Sequence, residues 1–414
     1  MLVAYRLLTY LVFLLSPIII LYRVLQNKED PRRFLEKFTL FSKKRNKGNL
    51  IWFHTVSVGE FLSIVPLVEK LEKKKNINQI LITSTTITSA KLFKKFKFKK
   101  TVHQFFPLDL YSFSKRFINY WRPKMAIFVD SEVWPIMTET LKKNYVRTIL
   151  LNARISKKSF KRWYLIKSFS NKIFKNFNYT YPQNIETKKY LIKLGVKNIK
   201  LLGNLKFCQK KKNITISNLS KFKNFIDKKR VWCAMSTHDG EEKICIEVQK
   251  KLLNKNYNLI LIIIPRHIDR LEKIENEIKN MGLGYHKHSS NHKIKKDTKI
   301  YLVDTYGEAE SFLEYSKLVF IGKSITKKGG QNPIEPARNN CKILHGPHVT
   351  NFTELYRLLS KEKISSKVTN PITLQNKIEL FLKKKTKTQS YKNKINLIGT
   401  KILNKNLNEV FKNI

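Results

Sequence analysis

Short apolar runs recur along this chain, separated by stretches in which apolar residues return every three or four positions. The runs Leu50–His54, Gln79–Thr83, His103–Pro107, Met125–Val129 and Thr148–Asn152 read as buried strands. Between the first two, Phe61, Ile64, Val65, Val68 and Leu71 mark one face of a helix over Glu60–Lys73. A turn of small residues, Ser84–Ser89, leads into another helix. The pattern stops near Gly203-Asn204-Leu205, and a lysine- and asparagine-rich stretch, residues 209–229, reads as a linker. A second series follows at Val231–Met235, Leu259–Ile264, Ile300–Val303, Leu318–Ile321 and Lys342–Leu344, with helices between, and Asn370–Ile414 is helical and basic. Alternation of strand and helix predicts parallel sheets covered on both faces. The expectation is an α/β protein of two doubly wound, Rossmann-like domains, residues 27–208 and 230–414, with a last helix free to pack back on the first domain. Ligands of such domains bind beyond the carboxyl ends of the strands, and the cleft between two of them is the expected active site.

The amino terminus departs from this alternation. Leu7–Tyr22 is a run of 16 residues without a charge, bounded by Arg6 and Arg23 and interrupted by Pro17. Three readings compete: signal peptide, membrane anchor and core helix. No small-residue cleavage site follows. An anchor over residues 1–26, spanning the bilayer or dipping into one leaflet, fits better. The cations that follow, from Arg23 and Lys28 to Lys47, predict a cytoplasmic location for the rest and suit anionic headgroups.

Charge changes the picture in one respect. The 82 Lys and Arg outnumber the 30 Asp and Glu, for a net charge of +52 in 414 residues. Such a field favours polyanionic partners: nucleic acid, an anionic membrane or a phosphorylated substrate. Concurrent overuse of Lys, Asn, Ile and Phe also fits compositional drift. The lysines punctuate apolar patterns and form no detachable tail, and no nucleic-acid-binding motif is present. Cys208, Cys233, Cys245 and Cys341 lack zinc-ligand spacing, and His286, His288 and His292 lie in a polar stretch without partner acids.

Candidate chemistry gathers where strands end. His54-Thr55-Val56-Ser57-Val58-Gly59-Glu60 runs from a strand into a helix, where the dipole favours a carboxylate. Glu60 is a candidate general base or a helix-capping acid. Asp130-Ser131-Glu132-Val133-Trp134-Pro135 could hold a sugar through Glu132 and Trp134, or could be an exposed turn with the tryptophan in the core. In the second series, Ser236-Thr237 precedes a helix start, Arg266-His267 ends a strand with a cation, and Asp304-Thr305-Tyr306-Gly307-Glu308 offers close backbone approach. Gly329-Gly330-Gln331-Asn332-Pro333-Ile334-Glu335 combines a glycine turn, a helix start and an acid, which suits a phosphorylated, hydroxyl-bearing ligand such as a nucleotide. One such loop is an ordinary turn; four on one edge point to a ligand.

The runs HTVSVGE, FFPLD, DSEVWP, LNARIS, GNLKF, STHDGEE, IIIPRH, DTYGE, GGQNPIEPA and HGPH, in this order, resemble the 3-deoxy-D-manno-octulosonic acid (Kdo) transferases of lipopolysaccharide synthesis. The resemblance implies a GT-B glycosyltransferase, inverting and without metal or other cofactor. It would move Kdo from CMP-Kdo to the lipid A precursor at the cytoplasmic face of the inner membrane, with no nucleic-acid partner. It implies Glu60 as catalytic base; Glu132, Ser57 and Arg154 on the acceptor side; and Ser236, Thr237, Arg266, His267, Tyr306, Gly307, Glu308, Gly330, Asn332 and Glu335 around the CMP. The chain departs from the family pattern at Asp130, Tyr306 and Gln331, where Glu, Met and His are commoner. A UDP-sugar-dependent GT-B enzyme, a nucleic-acid-binding protein and an inactive membrane scaffold are the competing classes.

Overall fold

The computed structural model describes residues 1–209, 219–227, 229–327, 329–383 and 390–414, so residues 210–218 and 228 of the expected linker lie outside the described residues. The chain divides into two units, Met1–Gln209 with Ile398–Ile414, and Lys210–Leu397.

The first unit is built on β1 (Leu50–His54), β2 (Gln79–Ser84), β3 (Thr101–Phe105), β4 (Met125–Val129), β5 (Arg147–Ala153) and β6 (Tyr179–Pro182). All pair in parallel, in the order β3-β2-β1-β4-β5-β6. Helices cover both faces of such a sheet, which is why β1, β2 and β4 read as continuous apolar runs and are buried at every residue. Trp52 anchors the core, with Phe117 and Phe128 ring centroids at 4.8 and 5.4 Å, while its Nε1 donates to Thr83 Oγ1 at 2.9 Å. Helix α2 (Val58–Glu72) starts two residues earlier than its apolar face predicts, because Ser57 caps it; Phe61, Ile64, Val65, Val68 and Leu71 are all buried. Each such side chain contributes roughly 1.5–3 kcal/mol. β3 ends at Phe105, before Pro107, which has no N–H to give a ladder.

Helix α1 (Leu2–Leu25) belongs to this unit and is not a separate body. Pro17 deprives the Phe13 carbonyl of its usual donor, and Ser16 Oγ supplies one at 2.7 Å. The chain also returns to this unit at its end. In the last helix (Tyr391–Lys412), Glu409 Oε2 accepts from Tyr181 Oη at 3.2 Å, and Gly399 passes so close to Phe207 that a Cβ would stand 2.3 Å from its carbonyl oxygen.

The second unit contains β7 (Arg230–Thr237), β8 (Leu259–Pro265), β9 (Gly284–Lys287), β10 (Thr298–Leu302), β11 (Leu318–Ile321), β12 (Lys342–His345) and β13 (Ser365–Lys367). They form one parallel sheet in the order β13-β12-β11-β7-β8-β10-β9. The strand order reverses between β7 and β11, the switch point where ligands of open α/β sheets bind. β6, β9 and β13 are absent from the hydrophobic pattern. All three lie at sheet edges, and β9 and β13 carry polar, partly exposed residues that give no apolar run.

Candidate functional site

In the first unit the carboxyl ends of the neighbouring strands β1 and β4 gather three acids, with Arg154 following β5 beside them. Glu60 is fixed by its own helix start. Its Oε1 accepts from Ser57 Oγ at 2.9 Å, its Oε2 accepts from the Val56 amide at 2.7 Å, and its amide donates to Ser57 Oγ at 3.3 Å. This is a complete capping box, so Glu60 caps a helix and also stands half-buried at a strand end. Asp130 closes β4 in the left-handed region at φ 66°, a conformation that costs a non-glycine residue on the order of 1 kcal/mol. Burial raises its carboxyl to about 6, with Glu60 adding to the rise against Lys206 and Arg154. Glu132 is raised further, to about 7, by burial first and then by Glu60. Trp134 Nε1 donates to Glu132 Oε2 at 3.1 Å, while its half-buried ring packs against the core at Phe106, centroids 5.1 Å apart, so the tryptophan ties the acid to the core. Arg154 follows β5, its amide donating to the Asp130 carbonyl at 3.1 Å; Ser57 is exposed.

His54 belongs to this set although its sequence gives no sign of it. The ring is wholly buried at the end of β1, with Nδ1 2.9 Å from Thr83 Oγ1. Burial lowers it to about 3, so its 3.8 Å approach to Glu132 is not an ion pair. Thr83 Oγ1 already accepts from Trp52. Its own hydroxyl reaches the Phe53 carbonyl at 3.4 Å, and His54 Nε2, on the side of Glu132, has no hydrogen-bond partner among the described residues.

In the second unit the loops after β11, β7, β8 and β10 are consecutive along one sheet edge. Glu241, the first residue of the helix Glu241–Leu253, holds two of them together. Its fully buried carboxylate accepts from the His238 amide at 3.0 Å and from the amides of Lys323, Ser324 and Ile325 at 2.6, 2.8 and 2.9 Å. The crossing is so close that a Cβ on Gly322 would stand 2.5 Å from Thr237 Cα, which leaves room only for glycine. Partners 82–84 residues away along the chain cannot be read from local spacing, so sequence reasoning missed this acid.

Around this hinge lie the expected donor residues. Ser236 is left-handed at φ 55°, within a register shift of β7, and Thr237 is buried. The Arg266 amide donates to the Thr237 carbonyl at 3.1 Å, while its exposed guanidinium has no partner among the described residues. His267 lies 5.5 Å from the ring of His238, which burial lowers to about 4. Tyr306 and Gly307 are exposed, and the Ile268 amide reaches the Tyr306 hydroxyl at 3.5 Å. Glu308 is engaged by the Thr305 hydroxyl and by His288 Nε2 at 3.1 Å. The Gly330 amide donates to the Lys323 carbonyl at 2.7 Å, Asn332 Oδ1 accepts from the Ile334 amide at 3.2 Å, and Glu335 is exposed. The helix opened there, Ile334–Arg338, is only five residues long. Gln331 places its Nε2 3.3 Å from His238 Nε2. Among the described residues no group of three or more His, Cys, Asp or Glu is placed to hold a metal.

Two parallel α/β units with ligand loops on their carboxyl edges define a GT-B-like architecture. A glycosyltransferase from Rickettsia africae matches it over 89% of this chain and 98% of that one, with a TM-score of 0.58 at 12% identity, a likeness of fold. Sequence comparison is more specific. The family model for 3-deoxy-D-manno-octulosonic-acid transferase (kdotransferase) matches residues 32–209. The 3-deoxy-D-manno-octulosonic acid transferase of Rickettsia bellii is 34% identical over 382 residues, covering 91% of this chain and 90% of the relative. That of Haemophilus influenzae is 29% identical, covering 85% and 84%. The chain belongs to the Kdo transferase family of glycosyltransferases.

Proposed function

We propose that this protein is an inverting glycosyltransferase of lipopolysaccharide biosynthesis that moves Kdo from CMP-Kdo to the lipid A precursor, lipid IVA, on the cytoplasmic side of the inner membrane. Family membership along most of the chain supports Kdo as the transferred sugar. The observation that carries the chemistry is the acidic set at the ends of β1 and β4, with Glu60 held by a capping box and Glu132 by Trp134.

In this reading an acceptor hydroxyl oxygen bonds to the anomeric carbon of Kdo while the bond from that carbon to the cytidylate phosphate breaks. The bonding pair leaves on the phosphate, the hydroxyl proton passes to Glu60, and attack from the opposite face inverts the centre. Glu132, Ser57 and Arg154 orient the acceptor. Arg266 neutralises the departing phosphate, and Ser236, Thr237, His267, Tyr306, Gly307, Glu308, Gly330, Asn332 and Glu335 hold the nucleotide, with backbone amides contributing preorganised dipoles. In this reading fixed cations and amides take up the charge of the leaving group, and no metal or other cofactor takes part.

One observation favours a second reading of the base. Both Glu60 oxygens already accept hydrogen bonds, whereas Glu132 is raised to about 7, the range suited to taking a proton near neutrality. Mass spectrometry of lipid IVA incubated with CMP-Kdo tests the reaction: a product heavier by Kdo is expected, and product with a UDP-sugar instead would overturn it. Comparing Glu60→Gln with Glu132→Gln in the same assay separates the two bases.

A further inference from the structure

The face that α1 turns outward is the wrong one for water. Its two charged residues, Arg6 and Arg23, and its polar Tyr5, Thr9 and Ser16 all lie on the side packed against the rest of the first unit. Arg6 pairs with Glu139 at 3.0 Å, Tyr5 donates to Asp109 at 2.8 Å, and Arg23 reaches the buried Glu29 at 3.3 Å. Between them Phe13 meets the edges of Phe113 and Phe38 at 5.6 and 6.3 Å. The outward side carries Val3, Leu7, Leu11, Leu14, Ile18 and Leu25, each at least half exposed. An amphipathic helix on a water-soluble surface has the opposite polarity.

The outward solvent is therefore apolar, and the docking fixes how the helix meets it. A helix of 24 residues is about 36 Å long, and it is fastened near its start, middle and end. The elements that fasten it are charged and wet. Lys115 and Arg116 are exposed on the helix that carries Phe113, Lys142 and Lys143 on the helix that carries Glu139, and Lys28 and Arg32 just beyond α1. Crossing the bilayer would drag those charges into hydrocarbon, at about 2.5–3.5 kcal/mol for each one near the centre, or break the fastenings. Lying flat satisfies both sides: the apolar rows enter one leaflet and the cations meet anionic headgroups. Exposed Tyr10 and Tyr22 are suited to the headgroup boundary, and the carbonyl freed by Pro17 is already satisfied by Ser16, as a backbone group in lipid must be.

We propose that α1 is an in-plane anchor that lies along one leaflet of an anionic bilayer, side-docked to its own domain, and does not span the membrane. This deepens the membrane location given above and rests on it, but not on the sugar transferred. The test uses the full-length protein with Cys208 replaced by serine, the other three cysteines being buried. Val3→Cys, Leu11→Cys, Ile18→Cys and Leu25→Cys variants are spin-labelled one at a time and bound to vesicles of phosphatidylethanolamine and phosphatidylglycerol. Equal, shallow depths at all four positions, roughly 5–10 Å below the headgroups, are expected. A depth that changes steadily along the helix by about 1.5 Å per residue would overturn the proposal, as would four labels that stay in water. Transfer to lipid IVA in detergent, measured on the same variants, reports separately on the catalytic reading.

Discussion

Glu60 and Glu241 stand at corresponding places, in the first turn of the helix that follows the first strand of each unit, yet they serve different ends. Glu241 is fully buried and accepts four amides, three of them from a distant loop. Glu60 is half-buried and accepts only from its own turn, beside two acids whose protons burial holds tightly. The same backbone position thus becomes a structural bolt where a second loop crosses it and a reactive candidate where none does. What distinguishes them is not the acid but the number of amides competing for its oxygens.

This contrast is broken most sharply at Glu60. Glu60→Gln keeps the capping-box geometry, so melting temperature should stay nearly constant while transfer falls on the order of 10²–10⁴-fold. Near-normal turnover would move the base to Glu132. Glu241→Ala should do the reverse in kind: by leaving buried amides unpaired it should cost roughly 3 kcal/mol of stability in denaturant titrations, with CMP affinity falling alongside. Arg266→Ala should leave stability unchanged, since the guanidinium is exposed, and lower kcat/KM for CMP-Kdo by about 10–100-fold, the loss expected for a charge-assisted contact. The smallest effect is thermodynamic. Glu132 holds its proton to about 7 in the folded state against 4.5 when unfolded, so the folded state binds more protons between those values. Stability should therefore decline by about 1–3 kcal/mol as pH rises from about 4 to about 8, and Glu132→Gln should flatten that slope in chemical denaturation.

Much of this was legible in the chain. Central strands announce themselves because burial on both faces demands unbroken apolar runs, and the candidate acids are found because they directly follow such runs. Edge strands such as Gly284–Lys287 and Ser365–Lys367 were not, since one side of each lacks a neighbour and polar residues suffice there. His54 looked like the end of a strand, and only its burial against Thr83 and Glu132 shows what it contributes. The helix expected after Asn332 exists, but its five residues give it a weaker dipole than a full helix would supply.

Asp109 carries a consequence of its own. Its carboxylate receives the Tyr5 hydroxyl on one side and the amides of Ile136 and Met137 on the other, at 2.8, 3.1 and 2.7 Å. Those amides open the helix that begins directly after Glu132-Val133-Trp134. The Arg6–Glu139 pair ties α1 to that same helix a turn further on, so tension on the amino-terminal helix is handed to the segment behind Glu132 at two points, with Asp109 the nearer one.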